Sequence, residues 1–193
     1  MSSLLVLIDL LLLIASAMAA WSVHVHFDRF VQAKGFDIAN TTGIRVRKYN
    51  RTTAVLDGEG ELFQDLGDDY KFTLTVAYSR LGNNQFNDRL GNNQFNEYPL
   101  KIAKASVCTV LNGPYKEYQH LYKNYSNFPQ VGDERICPFP LGYYWVKNWA
   151  PDGSFVPPVV PDGYWRFTVD TIDSKDNVVL RYYLYLHMKK EKS

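Results

Sequence analysis

The chain has 193 residues, 46% of them hydrophobic and 15% aromatic, with 21 basic against 20 acidic side chains. A formal net charge of +1 gives no electrostatic case for nucleic-acid binding. The length suits one domain able to bury a sizeable core.

Residues 4–14 form an apolar run, Leu4 to Ile14 broken by Asp9, that ends in Ala15, Ser16, Ala17, Met18 and Ala19. This is the layout of a secretory signal with an A-x-A cleavage site, although no Lys or Arg precedes the apolar run. Cleavage is expected after Ala19, leaving residues 20–193 as one domain in an extracellular setting. The alternative is a retained anchor, but the run is shorter than the ~20 residues that a membrane span needs. No later segment approaches spanning length, so no transmembrane segment is expected after cleavage.

The remainder reads as short strands. A less regular one covers Ser22 to Phe27, followed by Gly43 to Tyr49 and Thr53 to Phe63. From Tyr70 to Tyr78 apolar residues hold every even position, the period-2 signature of a half-buried strand. Arg80 to Asp88 is repeated almost unchanged as Arg89 to Glu97. Two copies are too few for a solenoid, and Gly-Asn-Asn is turn material, so the repeat reads as a duplicated surface loop or a sequence artefact. Leu100 to Leu111 reads as a strand, Pro114 to Asn127 can hold a short helix, and Gly142 to Trp149 returns to strand. Trp165, Phe167 and Val169 alternate with polar residues, as do Leu180, Tyr182, Leu184, Leu186 and Met188. The polar segment Asp173 to Asn177 between them predicts a hairpin. About eight strands without a long amphipathic helix predict an all-β sandwich or barrel.

Only two cysteines are present, Cys108 and Cys137. In an oxidising compartment one bridge between them is the economical reading, against two free buried thiols. Closing a loop of 29 residues stabilises by roughly 3–4 kcal/mol in the chain-entropy model. Three N-x-[ST] sequons, at Asn40, Asn50 and Asn124, read as N-glycosylation acceptors behind a signal peptide.

The sequence carries no G-x-S-x-G, H-E-x-x-H, Walker loop or complete G-x-G-x-x-G, so no catalytic residues are assigned and an enzyme is not expected. No cofactor is expected either. His24 and His26 share one side of a strand, but no third ligand is evident, so they read as a solvated face and no metal site is assigned. Asp57, Glu59 and Glu61 alternate in the same way. What remains is the aromatic surplus, and inward faces of a splayed sandwich can line a ligand cavity. On alternation alone a filled core is the commoner outcome.

Cys137-Pro138-Phe139-Pro140, Gly142-Tyr143-Tyr144-Trp145-Val146-Lys147-Asn148 and Val160-Pro161-Asp162-Gly163-Tyr164-Trp165-Arg166 together resemble the C-terminal signature of a large arthropod family of secreted proteins. That family includes the CheB-type proteins of insect taste hairs and is related to the ML lipid-recognition superfamily. The resemblance is specific over about residues 98–189. It implies an immunoglobulin-like β-sandwich of two antiparallel sheets enclosing a lipid-sized apolar cavity, a Cys108–Cys137 bridge, and Trp165 and Phe167 facing inward. Better-characterised superfamily members carry further bridges; this chain has cysteines for one.

The function expected is that of a secreted binding or carrier protein for a lipid or other small hydrophobic molecule, serving chemosensation as an accessory. Alternation assigns Phe72, Leu74, Val76, Trp165, Phe167, Leu180, Tyr182 and Leu184 to the cavity. A membrane receptor is a second candidate partner. The alternative is a secreted protein–protein interaction module with a filled core and no small-molecule ligand, using Trp149, Tyr183 and Tyr185 as its outward surface.

Overall fold

A computed structural model of the chain describes residues 21–79, 95–157 and 159–192. The expected signal segment and most of the nonapeptide repeat lie outside the described residues.

Nine strands are present among the described residues: β1 (Trp21–Lys34), β2 (Ala39–Asn40), β3 (Arg45–Lys48), β4 (Ala54–Leu62), β5 (Lys71–Ser79), β6 (Asn96–Ser106), β7 (Gly142–Trp149), β8 (Gly163–Ile172) and β9 (Val178–Lys192). They build two antiparallel sheets. The larger runs β1-β9-β8-β5-β6, and the smaller has β4 at its centre, flanked by β2 and β3 on one edge and by β7 on the other. The fold is the expected all-β sandwich.

Two boundaries differ from the sequence reading. The first strand continues past Phe27 to Lys34, through a bulge at Asp28 that resets the alternation so that Phe27 and Phe30 both pair with inward residues of β9, Leu186 and Leu184. The strand predicted from Leu100 to Leu111 stops at Ser106. There the Ser106 hydroxyl accepts from the Thr109 amide and caps a helical turn, Val107–Val110. Helical turns follow through Leu111–Tyr115, Lys116–Tyr118 and Gln119–Leu121, broken by a kink at Gly113, whose φ of −118° and ψ of −107° are not helical. The helical segment therefore starts seven residues earlier than Pro114.

Cross-strand register explains why the alternating residues share a face. One row across the large sheet is Phe27, Leu186, Trp165 and Tyr78; the next is Phe30, Leu184, Phe167 and Val76; then Gln32, Tyr182, Val169 and Leu74; then Leu180, Thr171 and Phe72. The turn expected between β8 and β9 is tied by Asp173, whose carboxylate accepts from the amides of Lys175 and Asn177. Gly163 opens β8 with φ of 145°, where a Cβ would stand 2.8 Å from the Ser79 carbonyl oxygen. That position requires glycine.

On the opposite face of the large sheet, Asp170 and Arg181 stand directly across from each other on β8 and β9. Arg181 donates Nε to Oδ1 at 2.6 Å and Nη2 to Oδ2 at 2.7 Å. Asp170 is only 9% exposed, so removing its charge leaves a guanidinium facing a neutral amide. Asp170→Asn is expected to lower stability by about 2 kcal/mol. Thermal unfolding should then fall by roughly 4–8 °C for a domain of this size, while Thr168→Ser on the same face should shift it by less than ~2 °C.

Candidate functional site

The core is divided into two. One cluster joins Val25, Phe27, Trp165, Val76, Leu186 and Met188 of the large sheet to Ile44, Leu56 and Val146 of the facing side. Trp165 is 2% exposed and Val76 1%, so this end of the sandwich is solid. The second cluster, Ile38, Ala39, Leu62, Leu66, Val107, Leu111 and Leu180, surrounds an apolar chamber of about 400 Å³.

The chamber forms where the sheets no longer interlock. Phe30, Tyr182, Val169, Thr171, Leu180 and Phe72 supply its floor from the large sheet. Opposite lie Ala39, Gly60 and Leu62 of the small sheet, Gly60 adding no side chain to the space. The helical segment is the roof, through Val107, Val110, Leu111 and Tyr115, with Phe128, Phe139 and Tyr144 closing the side.

That roof is held by covalent and polar clamps. Cys108 and Cys137 are joined, with Cα atoms 5.3 Å apart. Asn112 donates to the Cys108 and Ile136 carbonyls and accepts from the Ile136 amide. Gln119 makes the same two-way exchange with the backbone of Val131. Tyr115 donates to the Pro129 carbonyl, and Trp149 donates Nε1 to the Leu121 carbonyl. At the rim, Gln32 donates to the Ala39 carbonyl and accepts from both the amide and the hydroxyl of Thr41. A buried amide thus pins the small sheet to β1.

Wall tyrosines stay uncharged. Burial pushes Tyr182 up to about 12, against a bond with Thr41 that lowers it, and burial also raises Tyr115 and Tyr144. Of the eight residues assigned to the cavity from alternation, all lie on the inward face of the large sheet. Phe72, Leu180 and Tyr182 reach the chamber wall. Val76, Trp165, Phe167 and Leu184 belong to the solid end instead, because the facing strands interlock with them there, and Leu74 lies half-buried between the two regions. The part of the roof from Tyr115 onward falls within the helix expected from Pro114 to Asn127, whereas a strand reading of Leu100 to Leu111 conceals the turn at Val107–Val110, which only Ser106 as a capping residue signals.

Residues expected to point outward behave differently. Trp149 turns inward against Phe27 and Tyr122. Tyr185 is 4% exposed, lying under the guanidinium of Arg29 at 4.5 Å and against the Phe95 ring. Tyr183 remains half-buried, with Arg166 over its ring.

His24 is exposed and lies 3.5 Å from the Glu191 carboxylate. His26 faces His187 across the strands, a neighbour that sequence spacing could not reveal. Burial, then the charge of His26, holds the His187 imidazole below its ordinary value. Among the described residues the one grouping of three potential metal ligands is Asp68 with Cys108 and Cys137, and those two sulfurs are already bonded to each other. Glu59 and Glu61 are exposed, while Asp57 pairs with Arg47. Asn40, Asn50 and Asn124 are all solvent-exposed.

Residues 83–167 match the model of a family described as a protein of unknown function (DUF1091). The match spans the roof, the disulfide and β7, and extends into β8. No curated protein matches the chain. No helix among the described residues is long and apolar enough to cross a membrane.

If the bridge holds the roof, replacing both cysteines by serine should cost about 3 kcal/mol by urea unfolding. Amide hydrogen exchange should then accelerate across residues 107–121 ahead of β8 and β9. Unchanged protection in that segment would mean that Asn112 and Gln119 hold it without the bridge.

Proposed function

We propose that the chain is a secreted carrier or presenter of a lipid or other small hydrophobic molecule, which it binds in the chamber between the sheets. The observation that carries this reading is the chamber itself: a space of about 400 Å³, within the range of ligand sites, walled by apolar and aromatic side chains. The space is a cleft open on one side, and the stapled roof flanks it. The resemblance of residues 98–189 to CheB-type secreted proteins, and through them to the ML lipid-recognition superfamily, supports the same reading and suggests an accessory role in chemosensation. The disulfide and the three exposed sequons suit an extracellular glycoprotein.

Binding would come from apolar burial. At ~30 Å³ per water the chamber holds about thirteen water volumes, room for a chain of about a dozen methylenes. At about 0.8 kcal/mol each these give roughly 10 kcal/mol. Subtracting an association cost of ~4 kcal/mol leaves a dissociation constant in the tens of micromolar. In this reading the protein acts by sequestering its ligand, and no wall residue is asked to do chemistry.

The test is to fill the chamber. Val110→Trp on the roof and Val169→Phe on the floor should each weaken binding of the lipophilic dye N-phenyl-1-naphthylamine at least tenfold, with thermal unfolding within a few degrees of wild type. Dye affinity that survives both substitutions would remove the chamber as the binding site.

A further inference from the structure

We propose that the chamber selects an uncharged hydrophobic molecule bearing one hydrogen-bond acceptor, such as a long-chain alcohol or ester, anchored on the Thr171 hydroxyl, and that it rejects fatty-acid anions. This rests on the carrier reading above and adds the chemical class of the ligand.

Among the described residues five hydroxyl side chains lie in the chamber wall, those of Thr41, Tyr115, Tyr144, Thr171 and Tyr182. Four are already committed: Thr41 donates to Gln32, Tyr115 to the Pro129 carbonyl, Tyr144 to the Pro140 carbonyl, and Tyr182 bonds with Thr41. Thr171 is the exception. It is 6% exposed, sits between Phe72 and Leu180 on the inward face, and its hydroxyl has no hydrogen-bond partner among the described residues. Its proton is uncommitted and the residue lines the chamber, so it can donate to a ligand oxygen placed beside it. Among the described wall residues it is therefore the hydroxyl whose proton is free to be donated to a ligand acceptor.

Charge decides the rest. Among the described residues no Lys, Arg or His lines the chamber, and the acidic side chain at its margin is Glu61, a solvent-exposed carboxylate. A ligand carboxylate pointing inward would be an unpaired buried anion. Pointing outward, it would meet Glu61. Neither orientation suits an anion, whereas an alcohol or ester oxygen is accommodated inside at no charge penalty.

The experiment measures displacement of N-phenyl-1-naphthylamine from the full secreted protein by 1-dodecanol, dodecyl acetate, dodecane, dodecylamine and dodecanoic acid at pH 7.4. Dodecanol and dodecyl acetate should bind at least tenfold more tightly than dodecanoate, whose affinity should recover as the pH is lowered toward the acid's own pKa. Thr171→Val, which keeps the side-chain shape, should weaken the alcohol and ester about five- to tenfold while leaving dodecane unchanged. Thr171→Ser should restore them, which separates loss of the hydroxyl from a folding defect. Dodecanoate binding as tightly as dodecanol at pH 7.4, dodecylamine binding more tightly than dodecanol, or an equal loss for dodecane and dodecanol in Thr171→Val would each overturn the selectivity while leaving the carrier reading standing. Failure of every probe, dodecane and the dye included, would instead overturn the carrier reading and this inference with it.

Discussion

The structure depends on how far apart its two sheets are held. Over one end, side chains from both faces pack together around Trp165 and Val76, and dispersion contacts hold the layers against each other there. At the other end the helical segment 107–121 enters between the layers. It cannot be compressed, because Cys108 is bonded to Cys137 and Asn112 clamps the same two strands of chain. The chamber is the space left between an interlocked end and a propped end.

This arrangement assigns different work to neighbouring residues on one strand. On β5, Val76 packs in the solid end and Phe72 lines the chamber. On β9, Leu184 and Leu180 divide in the same way. Rigidity of the solid end gives the floor a fixed shape. Polar closure at the rim comes from Gln32, whose amide nitrogen donates to the Ala39 carbonyl and whose oxygen accepts twice from Thr41, so that both of its polar atoms have partners within the protein. The outer face of the large sheet has its own network: the Asp170–Arg181 pair, and the Arg29 and Arg166 guanidiniums lying over Tyr185 and Tyr183. Those contacts cover aromatic rings that alternation would leave in water.

Much of the fold was legible because β-structure writes itself with period 2. The alternation at Tyr70 to Tyr78, Trp165 to Val169 and Leu180 to Met188 identified three adjacent strands of the large sheet and the face each turns inward. The polar turn at Asp173 to Asn177 identified the hairpin joining two of them. Cysteine count was sufficient for the bridge, since two cysteines allow one intramolecular pairing. The bulge at Asp28 was not legible, because an extra residue in a strand leaves no compositional mark. Nor was the helix starting at Val107, since Val-Cys-Thr-Val favours a strand by propensity and only capping and tertiary contacts make it helical.

What the sequence determined by itself was therefore the class of architecture, the inward residues and the staple, all of them consequences of local periodicity or of counting. Which inward residues enclose space and which fill it was decided by tertiary structure alone. Phe72 and Val76 carry the same signal, and they part company only because one faces the helical roof and the other faces interlocking strands. The meeting of His26 with His187 and the placing of the Thr171 hydroxyl in the chamber wall are likewise properties of register and burial. Both arise between segments far apart in the chain, where no pattern within a single segment can reach.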